Sequence, residues 1–324
     1  MKTKTAVWVV LAVAVSLAAL YFIHSSRQTR PRPEKSVAIG KAPESKPPRE
    51  AVQPPAHVPP ARVSSNLQPV LVSGAPYLQR LAALRALPAN LTADDFKALS
   101  AFLLQRTGED DTQMGQALKN ELMNRLCALD PQPDELIDLF IGIYHDRNQS
   151  DVLRDYAVQH LAALCQQMAA TPPGAAQNAD PKLAEAEEAL WEAVAETQNS
   201  IAGTALLGLT RLVQGGVAID EERIGRAALK LAYDDSAGEL ARISAYQVCG
   251  RLNVQSALPV IETAAQGSST VALQISAIGA LGLIGGQNDL PLLQQLLQSS
   301  EARLKAPAQT AMNRIEQRLQ NPVR

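Results

Sequence analysis

The feature that most constrains this chain is an echo in its C-terminal third. Ile243-Ser-Ala-Tyr-Gln-Val-Cys-Gly-Arg-Leu252 returns 32 residues later as Ile275-Ser-Ala-Ile-Gly-Ala-Leu-Gly-Leu-Ile284, and Pro259 and Pro291 keep the same offset. Self-similarity at this period marks repeated helical units, none of which can bury its apolar face alone. Stacked neighbours supply the missing surface. The predicted fold class is therefore all-α, an α-solenoid of helix pairs, and a solenoid points first to binding.

Composition agrees with helix-on-helix packing. The chain of 324 residues is 46% hydrophobic but only 4% aromatic, so its apolar mass is Ala, Leu, Val and Ile. Ala permits close approach of helices and Leu fills the grooves between them. Helical spacing recurs along the chain. Thr92-Ala-Asp-Asp95 reads as an N-cap with an acid three positions on. Leu136, Ile137, Leu139, Phe140, Ile143 and Tyr144 form one apolar face. Leu190, Trp191 and Val194 form another, and Asp220-Glu-Glu222 opens a further helix. The pattern predicts roughly thirteen helices and no alternating strand.

Two segments precede this body. Thr5 to Ile23 is an uncharged apolar run of 19 residues. At ~1.5 Å per residue it matches a hydrocarbon core of ~30 Å, so residues 1–26 are predicted to be a single-pass transmembrane helix. Ser16-Leu-Ala18 offers small residues for signal cleavage, but the run continues past them and favours an uncleaved signal anchor. Lys2 and Lys4 before the run place the body on the extracytoplasmic, periplasmic side, although Arg27, Arg30, Arg32 and Lys35 after it pull the other way. Between Arg27 and Pro76 lie eleven of the 21 prolines and no Phe, Trp or Tyr. Such a stretch cannot offset its chain entropy by burial, so residues 27–76 are predicted to be a Pro-rich disordered linker and residues 77–321 the solenoid.

Charge follows the same division. Residues 1–76 hold ten Lys/Arg and three Asp/Glu, a net +7, and the remainder is −9. An acidic body lacks the basic face that displaces phosphate counterions, so no nucleic-acid partner is expected.

The helix starts share a phrase. Val152-Leu-Arg154-Asp-Tyr-Ala157, Leu240-Ala-Arg242-Ile-Ser-Ala245 and Leu273-Gln-Ile-Ser-Ala277 each place a polar or basic residue three before a small one. Leu304-Lys-Ala-Pro-Ala308 has Lys there, and Ser200-Ile-Ala-Gly-Thr-Ala205 keeps only the small residue. The small residues stand 48, 40, 32 and 31 apart in chain order. This phrase resembles that of HEAT-type repeats, the short bacterial kind above all. The resemblance covers about three quarters of the chain and is strongest after residue 234. It implies that the second helices of successive pairs line a concave face that binds protein, and that Arg154 and Arg242 make bonds between repeats. Asp146, Asp235 and Glu239 are the expected acidic partners. Ala157, Ala205, Ala245 and Ala277 are the expected points of close helix approach.

No catalytic, metal or cofactor-binding residue is predicted, and no cofactor. The histidines are His24, His57, His145 and His160. His160 and Cys165 lie five apart, on different sides of one helix, and His145 closes another. Cys127, Cys165 and Cys249 sit in apolar phrases and read as small buried hydrophobes. Glu185, Glu187, Glu188 and Glu192 read as a solvated helix face. The leading expectation is a membrane-tethered scaffold or adaptor for a protein partner. The alternatives are a HEAT-like lyase-type enzyme acting on a small molecule, which a pocket at Tyr156 and His160 would favour, and a structural cell-envelope spacer.

Overall fold

The computed structural model describes residues 63–321 apart from 73, 107, 109–111, 131, 170–180 and 268–269. The expected transmembrane span and most of the expected linker lie outside these residues. Among the described residues no helix is long and apolar enough to cross a membrane.

These residues form fourteen α-helices: α1 (Gln68–Leu71), α2 (Tyr77–Arg85), α3 (Ala93–Leu104), α4 (Gln113–Cys127), α5 (Leu136–His145), α6 (Asp151–Ala169), α7 (Pro181–Ala193), α8 (Ile201–Gln214), α9 (Glu221–Tyr233), α10 (Glu239–Arg251), α11 (Leu258–Gln266), α12 (Val271–Ile284), α13 (Leu290–Leu297) and α14 (Lys305–Gln320). No strand occurs among them. Local chemistry starts several of the helices. The hydroxyls of Thr92, Thr112 and Thr270 and the carboxylate of Asp220 each accept an N–H of the first turn. Helices α11 and α13 instead follow a short 3₁₀ turn and carry proline in their first turn. There its missing N–H costs nothing.

The even helices form one layer. Each packs on the next in chain order, α2 on α4 and so on to α12 on α14. The odd helices back this layer, with α5, α7, α9, α11 and α13 each packing on the even helix that follows it. Small residues set the closeness of the even layer. Ala157, Ala205, Ala245, Ala277 and Ala308 are all 0% exposed. A Cβ on Gly203 of α8 would lie 3.2 Å from the Ala241 Cα of α10, and one on Gly282 of α12 would lie 2.8 Å from the Ala311 Cα of α14. Side chains larger than Gly or Ala there would push the layer apart.

One boundary differs from expectation. The linker was expected to run to Pro76, yet Ser65–Leu71 is helical and buries Leu67 and Val70. Pro69 occupies the same first-turn place as Pro259 and Pro291 and starts a helix rather than breaking one. Ser64 ties this start to α3 through two bonds to Asp95, from its N–H at 2.8 Å and its hydroxyl at 2.7 Å. Burial alone would raise the Asp95 carboxyl. The bonds from Ser64 and Thr92 outweigh it and hold the carboxyl below its ordinary value. Short α1 is thus the first helix of a pair with α2.

Candidate binding face

The repeat phrase lies at the start of the even helices and does one recurring job. The last carbonyls of a helix lack partners within it. Arg80 of α2 donates to the Val70 carbonyl of α1 at 2.9 and 3.1 Å. Arg154 of α6 donates Nε–H to the Tyr144 carbonyl of α5 at 2.8 Å. Gln274 of α12 donates to the Ala265 carbonyl of α11 at 2.9 Å. Lys119 of α4 serves α3 in the same way through the Leu103 and Gln105 carbonyls. Arg80-Leu-Ala-Ala83 and Lys119-Asn-Glu-Leu122 therefore extend the phrase to α2 and α4, where the sequence reading did not carry it.

Arg154 does more. It is 3% exposed and forks onto Glu196, in the turn of the next pair, at 2.6 and 2.8 Å. Arg147 also reaches Glu196, at 2.5 Å. Burial pushes the Glu196 carboxyl up, but the bonds from Arg154, Tyr144 and Arg147 prevail and hold it below the usual carboxylate range. Asp151, not the expected Asp146, is the second acid on Arg154. Asp146 is occupied locally by the Asn148 N–H and the side chains of Asn148 and Gln149. Arg242 meets Asp235 at 3.1 Å, as the resemblance implied, but Asp235 is 91% exposed. Glu239 accepts a bond from Thr270 of the next pair.

His160 is 4% exposed between α4 and α6. Its Nε2 lies 3.0 Å from Asn120 Oδ1 and its Nδ1 lies 3.8 Å from Cys127 Sγ. Burial pushes the Cys127 thiol up to about 12 and His160 down to about 4. Both are neutral at pH 7, so this contact is packing and not a thiolate–imidazolium pair. All three cysteines are buried and free. His145 bonds Glu192 at 2.8 Å, which gives one member of the expected acidic face a partner. Trp191 donates to Glu187, and Arg223 of α9 stacks over the Trp191 ring at 3.8 Å. No group of three His, Cys, Asp or Glu able to hold a metal occurs among the described residues.

What the repeat leaves open is one face of the even layer. Counting from each repeat alanine, the same positions reach solvent in successive helices. Tyr156, Gln159 and Ala163 do so on α6, Thr204, Leu207 and Arg211 on α8, and Ser244, Gln247 and Arg251 on α10. Gly279 and Leu283 continue the rows on α12. Toward the N-terminal end a shallow depression of about 390 Å³ is lined by Leu84, Arg85, Glu121, Asn124, Arg125 and Ala128. Arg85 and Glu121 face each other there at 3.8 Å.

Residues 226–313, from within α9 to α14, match the family model of HEAT repeats. No curated protein sequence matches the chain. Among solved structures the chain is similar to human deoxyhypusine hydroxylase in complex with glycerol, at 19% identity, over 78% of this chain and 95% of that one, with a TM-score of 0.35. It is similar to an engineered protein at 16% identity, covering 78% of this chain and 68% of that one, with a TM-score of 0.41. For Kap121p the identity is 14%, the coverage 77% of this chain and 35% of that one, and the TM-score 0.37. The C-terminal pairs thus match HEAT repeats and belong to an all-helical stack of pairs among the described residues.

Proposed function

We propose that this protein is a scaffold that takes a protein partner on the open face of its even helices and is held at a membrane by its N-terminal segment. The observation that carries the reading is the row of solvent-facing side chains repeated in register on α6, α8 and α10. A partner laid across them meets a polar and apolar mixture on rigid elements, at no ordering cost to the scaffold. The uncharged run from Thr5 to Ile23 supplies the anchor in this reading, and the Pro-rich stretch after it supplies reach. Tethering then raises the effective concentration of the body beside membrane partners. The net −9 of the body speaks for a protein rather than a nucleic acid.

Photo-crosslinking tests the partner face. A photoreactive side chain at Gln159 and, separately, at Gln247 is expected to capture one and the same protein in cells, while one at Arg226 of α9 captures none. The opposite pattern removes the reading. Reporters fused after Arg324 test the tether, with the body expected on the extracytoplasmic side. A reporter active only in the cytoplasm would reverse the orientation and redirect the search to cytoplasmic partners.

A further inference from the structure

Two arginines on the open face stand in the same repeat register. Arg211 of α8 lies six residues after Ala205, and Arg251 of α10 lies six after Ala245. The two helices pack directly on each other. Both side chains reach solvent. Neither has an ion pair or a hydrogen bond from its side chain among the described residues. Partial burial and then the charge of Arg251 lower the basicity of Arg211, so the two guanidinium groups are close enough to repel.

The surroundings do not relieve that repulsion. Thr204, Leu207 and Gln214 flank Arg211, Ser244 and Gln247 flank Arg251, and Gly279 and Leu283 continue the face on α12. None is acidic, although the body as a whole is. Each arginine sits in the last turn of its helix, where the carbonyl end favours a cation. That accounts for either one alone. It does not account for two in register on adjacent helices with no carboxylate between them.

We propose that Arg211 and Arg251 form a fork for the carboxylates of an acidic, extended peptide segment of a protein partner. Guanidinium groups pair with carboxylates in two parallel bonds, which gives both energy and direction. Adjacent helix axes lie ~8–10 Å apart, and an extended chain advances ~3.3 Å per residue. The segment therefore presents its acids two to three positions apart, with an apolar residue against Leu207 or Leu283. Two arginines are too few to track a phosphate backbone, and the acidic body opposes one. The assignment rests on the partner-face reading above.

The test uses the full chain in mild detergent and a fluorescent peptide of alternating Glu and Leu, with a Gln–Leu peptide as its uncharged counterpart. The Glu peptide is expected to bind and the Gln peptide to bind roughly tenfold or more weaker. Arg211→Gln with Arg251→Gln should remove that preference while leaving the thermal melt unchanged. Arg211→Lys with Arg251→Lys should recover part of it. Equal binding of the two peptides, a preference that survives the double Gln change, or preferential binding of a single-stranded RNA oligomer at the pair would overturn the assignment. Crosslinks from Gln159 and Gln247 separate the two ideas: if they capture a partner while the acidic peptide fails, the fork is wrong and the partner face stands.

Discussion

Arg154 at the start of α6 bonds its own pair and also crosses to Glu196 in the next, at 2.6 Å. At the corresponding place in α12, Gln274 bonds only the Ala265 carbonyl of its own pair. Both regions rely on small residues for closeness, through Gly208 against Ala162 in one and Gly282 against Ala311 in the other. Among the described residues a forked guanidinium–carboxylate pair between neighbouring pairs is added only in the first, while in the second Arg318 of α14 crosses to the Gly282 and Gly285 carbonyls at 2.6 Å. The difference follows the spacing. Repeat residues lie 48 apart from α6 to α8 but 32 and 31 apart from α10 through α14. Regular units are joined by bonds to backbone and single oxygens, from Ser276 to the Ile243 carbonyl and from Thr270 to Glu239. A stretched unit needs a directional bond between neighbours, and a forked guanidinium–carboxylate pair supplies one.

The sharpest way to break this comparison is to remove the charge. Arg154→Met leaves Glu196, 13% exposed, with Arg147 and the Tyr144 hydroxyl and strands the Tyr144 carbonyl. Urea unfolding of that variant should show a loss of about 3 kcal/mol, the scale of a broken buried pair. An unchanged midpoint would mean that the pair only decorates the joint.

Acidity separates the same two regions. His160 is held neutral by burial, with its folded value near 4. The unfolded chain takes up its proton near pH 6.5, so the unfolded state binds more protons between those values. Stability contributed by neutral His160 is therefore present above pH 6.5 and lost as pH falls toward 4, by up to about 3 kcal/mol. The pairs from α9 to α14 contain no histidine. There Glu262 is pushed above its ordinary value by burial and by its bond to Asp289, so acidification favours this one site, while Glu301 and Asp234, held low by bonds from Arg303 and Ser236, work against it. Thermal melts at pH 7 and pH 5 should show the wild type losing more than His160→Gln. Equal losses would place the acid-sensitive step elsewhere.

Closeness is tested next. Ala277→Leu should cost ~1–3 kcal/mol by overpacking, and Ala157→Leu less than Ala277→Leu if the charged joint tolerates some separation. The smallest effect is expected at Arg242. Its partner Asp235 is almost fully exposed, so Arg242→Met should change stability by less than about 1 kcal/mol. A loss there equal to that of Arg154→Met would erase the distinction between the two regions.

Legibility in the sequence followed the same divide. The echo of Ile243 in Ile275 and the paired Pro259 and Pro291 placed α10 through α13, because regular spacing is itself the signal. The first pair was missed because Pro69 and its neighbours share the composition of the tether, although Gln68-Pro69-Val-Leu71 parallels Leu258-Pro259-Val-Ile261. Lys119 escaped because Leu122 replaces the small residue three positions on. Glu196 lies 42 residues from Arg154, and no local pattern announces a bond over that distance. Arg211 and Arg251 are separated by 40 residues, as are Ala205 and Ala245, so carrying the repeat register forward would have aligned them.

The account stands on the open face of the even layer as the place where a partner binds. Carbene footprinting of the full chain, alone and with the protein captured from Gln159 and Gln247, tests this most directly. The account predicts protection of Tyr156, Leu207, Gln247 and Leu283 with Glu188 and Arg226 on the odd helices unchanged. Protection confined to Glu188 and Arg226 would contradict it.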